Sequence, residues 1–242
     1  MRYNYKYAMP VDPRVLQDDF ESSKGVDTIP ELVATLKKVR TTKQYMAVDD
    51  VVRKQIKRLW FEINYNRGIN LRDREKLLPV FQQLARIFKK TEHLGGGVYR
   101  GVTLPSIYKT LISETFPDAY EGEDLDIHSH PEIVQKIENL AYGLRSWSKD
   151  PDYAEQWADD TESYGYKHSK QDHDSVVFFA GSYYAVLDCD AYFEVMGEII
   201  EGKGMPFDHN EVICHLDGHK VERITKVRDK SDSSALWFVE IN

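Results

Sequence analysis

"GGGVYRGV", residues 95–102, is where the 242-residue chain changes character. Upstream, apolar residues recur at helical spacing. Downstream, they fall into short runs rich in β-branched and aromatic residues. The stretch itself sets Arg100 among Val98, Tyr99 and Val102. A guanidinium inside an apolar strand is costly unless a planar acceptor meets it. A carboxylate of the chain or the phosphate of a ligand would match its fork, and the stretch alone leaves both open. Gly95–Gly97 read as a turn. A phosphate loop would need a following G-K-[ST] and a helix, and here the next element reads as a strand.

Working back from the glycines, "IPELVATLKKVR" (29–40) puts Leu32, Val33, Leu36 and Val39 on one helical face, with Pro30 near its start. "VDDVVRKQIKRLWFEINYNRG" (48–68) repeats the stripe with Val48, Val51, Val52, Ile56, Leu59, Trp60 and Ile63, and Gly68 is placed to end it. "LRDREKLLPVFQQLARIFKK" (71–90) carries Leu77, Leu78, Phe81, Leu84 and Phe88, with Pro79 either starting or kinking that helix. The first twenty or so residues read as an irregular arm.

Working forward, "VYRGVTL", "LRSWS", "SVVFFAG", "YYAVLDC", "NEVICHL", "KVERITKVR" and "SALWFVEI" predict strands separated by Gly, Asp, Ser and Pro. Helices are predicted at "PEIVQKIENLAYG" and at "DPDYAEQWADD", where Asp150 suits the cap and Pro151 the first helical position. "MGEIIEGKGMPFDH" reads as a surface loop leading into a strand. A helical front and a β-rich back with little β-α alternation predict an α+β fold.

Bulk properties narrow the function classes. Apolar residues at 41% and charged residues at 30% predict a globular chain with a sizeable core. A net charge of −8 disfavours attraction to nucleic acid or to an anionic membrane. The basic run Arg53–Arg58 on a predicted helix reads as a solvated face, though a local basic surface stays open. Cys189 and Cys214 make no C-x-x-C pair and no disulfide framework, and each sits in an apolar run as a small hydrophobe would. No run approaches the ~20 apolar residues of a membrane span, and the N-terminus lacks the apolar segment of a secretory signal. The expected compartment is a reducing cytoplasm, the host's if the gene is viral. "DIHSH" (His128, His130) and "CHLDGH" (Cys214, His215, His219) lack zinc-site spacing, so no metal is expected.

Two further stretches hold groups able to do chemistry. In "DHNEVICHLD" (208–217), strand alternation puts Val212, Cys214 and Leu216 on one face and His209, Glu211, Ile213 and His215 on the other. Glu211 then opens a buried strand behind a glycine-rich loop, where it faces a cleft or is an ordinary edge-strand glutamate. In "LRSWSKDPDYAEQWA" (144–158), Ser146 and Ser148 share a strand face ahead of a capped helix whose Ala154, Trp157 and Ala158 point inward. Those serines fit hydrogen bonds to a carboxylate or ligand, or plain strand-end polarity.

In combination, the order aromatic-Arg-Gly, Ser-x-Ser before a helix, and x-x-Glu after a glycine-rich loop resembles the Arg–Ser–Glu class of mono-ADP-ribosyltransferases. That class holds the cholera-toxin-like and clostridial-toxin-like enzymes. Phage-encoded members are nearest in length and in Arg-to-Glu spacing. The resemblance covers residues 95–242, with Trp147 replacing the family's Thr. It implies an NAD-binding core, 95–242, that is a split β-sandwich, and the helical N-terminal section, 1–94, which lies outside the resemblance, is expected to pack on that core. It implies that Arg100 clamps the pyrophosphate of NAD and that Gly101 lets the backbone approach the ligand. Ser146 then holds Glu211, Ser148 completes the Ser motif, and Glu211 takes the nicotinamide-ribose hydroxyl and stabilises the oxocarbenium ion. Tyr164 or Tyr166 is placed to stack on the cofactor, or is an exposed loop tyrosine. Phe207, Asp208 and His209 fall in the acceptor-recognition loop. Two residues before the glutamate, arginine-modifying members carry Glu and others Gln, whereas this chain carries His209. The implied partner is a protein acceptor, a host protein in a viral setting, with arginine the first expectation for the residue modified. NAD hydrolysis, nucleic-acid ADP-ribosylation and a catalytically silent interaction module are the alternatives.

Overall fold

The computed structural model of the chain describes residues 29–65, 76–88, 96–104, 108–159, 173–189, 192, 211–228 and 235–242. The chain divides into two units, Met1–Glu92 with Ala185–Ile213, and His93–Tyr184 with Cys214–Asn242. Residues 185–213 cluster with the chain's first ninety-two residues.

In the first unit, α1 (Ile29–Leu36) has Pro30 and Glu31 in its first turn, where a missing N–H and a negative charge both suit the helix end. Thr41 caps α2 (Thr42–Met46), its hydroxyl accepting Gln44 N–H at 3.2 Å. The Asp49 carboxylate accepts Val51 N–H at 2.8 Å as α3 (Asp50–Tyr65) begins. Pro79 lies in the first turn of α4 (Leu78–Phe88), exposed, so it starts the helix and does not kink it. Leu32 and Leu36 of α1 and Val80, Phe81, Leu84 and Ile87 of α4 are buried, and the two helices pack together. This unit also holds most of β4 (Tyr184–Asp188) and the first half of its neighbour β5 (Glu211–Leu216).

In the second unit, which holds the second half of β5, the strand order is β5-β2-β1-β3-β7-β6, with β1 Val98–Thr103, β2 Gly143–Ser148, β3 Ser175–Ala180, β6 Val221–Arg228 and β7 Leu236–Ile241. The sheet is mixed. β1 runs antiparallel to β2 and β3, β3 parallel to β7, and β6 antiparallel to β7. These helices and this mixed sheet place the chain in the α+β class. Helix α7 (Pro151–Asp159) lies on β1 and β3, burying Ala154 and Ala158 against Val177 and Leu236, with Tyr99 and Phe238 at the margin. Small residues on that helix face let it come close. A Cβ on Gly101 would stand 1.7 Å from the Ala154 carbonyl oxygen and 2.6 Å from Ala158 N. Helix approach therefore demands glycine at 101, a reason that the sequence reading, with its ligand, did not contain.

Two devices tie down the ends and edge of this sheet. Asp174, fully buried, accepts Ile112 N–H and Ser113 N–H at 2.9 Å and also the Ser113 hydroxyl, anchoring the short helix α5 (Leu111–Thr115). Residues 122–125 run along β6: Gly122 N–H donates to Lys226 O, Lys226 N–H to Glu123 O, and Leu125 N–H to Ile224 O. The β6 edge is thereby covered. Helix α6 (Pro131–Ala141) packs against β6 with Ile133, Ile137 and Ala141 buried.

Candidate functional site

Arg100 sits in the middle of β1 and keeps 8% of its surface exposed. Its Nη1 donates to the Ser146 carbonyl oxygen at 2.6 Å, 46 residues away along the chain. Strand pairing makes this possible, since β1 and β2 run antiparallel with Tyr99 opposite Ser148. The arginine motif and the serine motif thus meet side by side. Tyr99 packs toward α7 with the ring of Phe179, centroids 5.1 Å apart. Strand alternation then turns Arg100 to the other face of the sheet.

Along β2, burial does not alternate. Leu144, Arg145, Trp147 and Ser148 are all buried, whereas Gly143 and Ser146 are partly exposed. The two serines consequently have different surroundings, although they stand two apart. The Ser148 hydroxyl accepts Asp150 N–H at 2.9 Å, and the Asp150 carboxylate accepts Asp152 N–H at 3.0 Å. Ser148 is thereby built into the turn that starts α7. Trp147, standing where the resembled family has Thr, is a buried core ring at 2% exposure.

Arg145 is a buried polar residue that sequence reasoning passed over. It is 4% exposed, with Nε donating to Tyr142 O at 3.1 Å and Nη2 to Asn139 O at 3.5 Å. Those carbonyls end α6, so the guanidinium caps the helix C-terminus where negative partial charge collects. The available signal was its place four residues after a helix end.

Glu211 is the first residue of β5, partly buried, and belongs to the first unit. Val212, Ile213 and Cys214 behind it are all buried, so both sides of the strand are covered, and alternation did not predict this for Ile213. In strand order β4 is a neighbour of β5. Burial pushes the Cys214 thiol well above its usual range and holds it neutral. Tyr164, Tyr166, Phe207, Asp208 and His209 lie outside the described residues. Among the described residues, no three His, Cys, Asp or Glu side chains gather as a metal ion would require. Among them also, no helix is long and apolar enough to cross a membrane.

No protein-family model and no curated protein matches the chain. Among solved structures, it is similar to Vis toxin, an ADP-ribosyltransferase from Vibrio splendidus, at 12% identity and a TM-score of 0.33, over 95% of this chain and 84% of that one. It is also similar to C3larvin toxin, an ADP-ribosyltransferase from Paenibacillus larvae, at 12% identity and a TM-score of 0.28, over the whole of both chains.

Proposed function

We propose that the chain is an NAD-dependent mono-ADP-ribosyltransferase that moves ADP-ribose from NAD to a protein acceptor and releases nicotinamide. The observation that carries this reading is the 2.6 Å bond from Arg100 Nη1 to Ser146 O, which joins two of the three motifs. The fit to a dinucleotide rests on the same arginine. A guanidinium set in an apolar strand, with part of its surface still open, is suited to a pyrophosphate, which offers paired oxygens and two negative charges.

In this mechanism Arg100 holds the pyrophosphate and Ser146 orients Glu211. The Glu211 carboxylate accepts a hydrogen bond from the nicotinamide-ribose hydroxyl and stabilises positive charge as the C1′–N bond breaks. Nicotinamide leaves neutral with the bonding pair. The acceptor's nucleophile forms the new bond at C1′ from the opposite face and gives up one proton. His209, two residues before Glu211, is placed in sequence to receive that proton or to bind the acceptor. Arginine is the first expectation for the residue modified. His209→Glu should raise arginine modification, or change transfer while leaving NAD cleavage intact. If substitutions at His209 alter neither, it does not select the acceptor.

The decisive experiment incubates the protein with labelled NAD and a cell lysate, comparing wild type with Glu211→Ala. Nicotinamide release, and mass spectrometry of any labelled macromolecule, are the readouts. Label on a protein, lost in the variant, supports the reading. Release without label makes the chain an NAD glycohydrolase, and label on nucleic acid changes the acceptor class. Absence of NAD binding leaves an interaction module.

A further inference from the structure

Within the first unit, three aromatic rings from distant stretches of chain form one buried group. Tyr45 comes from α2, Phe88 is the last residue of α4, and Tyr192 follows four residues after the end of β4. Ring centroids lie 5.1 Å apart for Tyr45–Phe88 and for Phe88–Tyr192, and 6.2 Å apart for Tyr45–Tyr192. All three pairs are edge-on, at 75°, 73° and 68°. The two phenol oxygens are 3.4 Å apart, so each buried hydroxyl has a polar neighbour. Tyr45 is fully buried, and Tyr192 keeps 5% of its surface.

We infer that this ring group positions the strand that carries Glu211. Tyr192 fixes the chain as it leaves β4, where Asp188 and Cys189 are already buried. β4 is the neighbour of β5, and β5 begins at Glu211. Helices α2 and α4 therefore brace the carboxylate's strand through Tyr45 and Phe88. Edge-on ring pairs are directional, so they hold position as well as burying area. The inference rests on the reading of Glu211 as the group that acts at NAD. It gives α2 and α4 a part in the cleavage step, with Tyr45, Phe88 and Tyr192 as positioning residues.

The test uses the full chain with Phe88→Leu, Tyr192→Leu and Tyr192→Ala, and with Tyr120→Ala, an exposed ring of the second unit, as control. For the leucine variants, kcat of nicotinamide release should fall by about 10-fold to 10²-fold, the scale of a small misplacement of a reacting group. Equilibrium binding of NAD, governed by Arg100, should change by less than about threefold, so the loss lies in kcat and not in affinity. Amide hydrogen exchange over Glu211–Ile213 should quicken by about tenfold while β1 and β3 stay protected. The control should leave all three readings at wild-type values. Folded leucine variants with wild-type kcat and wild-type exchange overturn the inference. Should Tyr192→Ala fail to fold, the two leucine variants decide. Should wild type neither bind nor cleave NAD, the transferase reading falls, and exchange at Glu211–Ile213 still judges whether the rings hold the strand.

Discussion

Arg145 and Arg100 are both buried arginines, on neighbouring strands, and they are put to different uses. Arg145 reaches Tyr142 O and Asn139 O, three and six residues back along the chain, and closes the end of α6. Arg100 reaches Ser146 O, 46 residues away, and brings two separate motifs together. The contrast teaches that burial of a guanidinium says little about its role. Sequence separation to its acceptors says more. The carbonyls that Arg145 meets end a helix, whereas the one that Arg100 meets joins β1 to β2.

The strongest attempt to break this contrast is Arg100→Lys. It keeps the charge and removes the fork, and nicotinamide release should fall by about 10²–10³-fold with a melting temperature close to that of wild type. A variant that keeps full turnover would put Arg100 beside Arg145 as a structural group.

The next largest effect is expected next door. Gly101→Ala drives a Cβ into the backbone of α7 and should cost about 3 kcal/mol by denaturant unfolding, the upper range for overpacking. A stable Gly101→Ala protein lacking NAD turnover would return the glycine to the ligand. Arg145→Met should cost about 2 kcal/mol, through carbonyls left without their charged donor, and leave KM for NAD nearly unchanged. A change in KM larger than its change in stability would erase the distinction between the two arginines.

The smallest effect concerns the first unit. Burial pushes the Tyr192 phenol up to about 12 from its ordinary 10, and raises Tyr45 as well. Because the folded value lies above the unfolded one, the stabilising contribution is whole below pH 10. It is lost as pH rises through about 12, at about 1.4 kcal/mol per pH unit. Alkaline unfolding followed by phenolate absorbance should shift upward in Tyr192→Phe. An unchanged midpoint would mean that the ring is accessible to hydroxide.

The motifs that make up the candidate site were legible because each is local. Val98–Val102 reads as a strand from composition, Asp150 and Pro151 mark a helix start, and Glu211 follows a glycine-rich loop. Adjacency was not legible. Ser146 and Ser148 look equivalent by alternation, yet Ser148 is committed to the turn before α7. Ile213 looks partnered with Glu211, yet it is wholly buried, as are Val212 and Cys214, so both faces of the strand are covered there. The closeness of Ala154 and Ala158 to Gly101 was not legible either.

By itself, the sequence determined what depends on neighbours within a turn or a pleat. The buried faces at Leu32 and Leu36 and at Phe81 and Leu84, the Pro79 and Pro151 helix starts, and the α+β character all follow from repeat distances of backbone hydrogen bonding. Only the tertiary structure decided which helix needs a glycine opposite it, which arginine caps and which one joins, and that residues 185–213 belong with the chain's first ninety-two. Those outcomes depend on the shapes of surfaces far apart in the chain. Close packing settles them through distances of a few tenths of an ångström, and no local pattern of residue types encodes such distances.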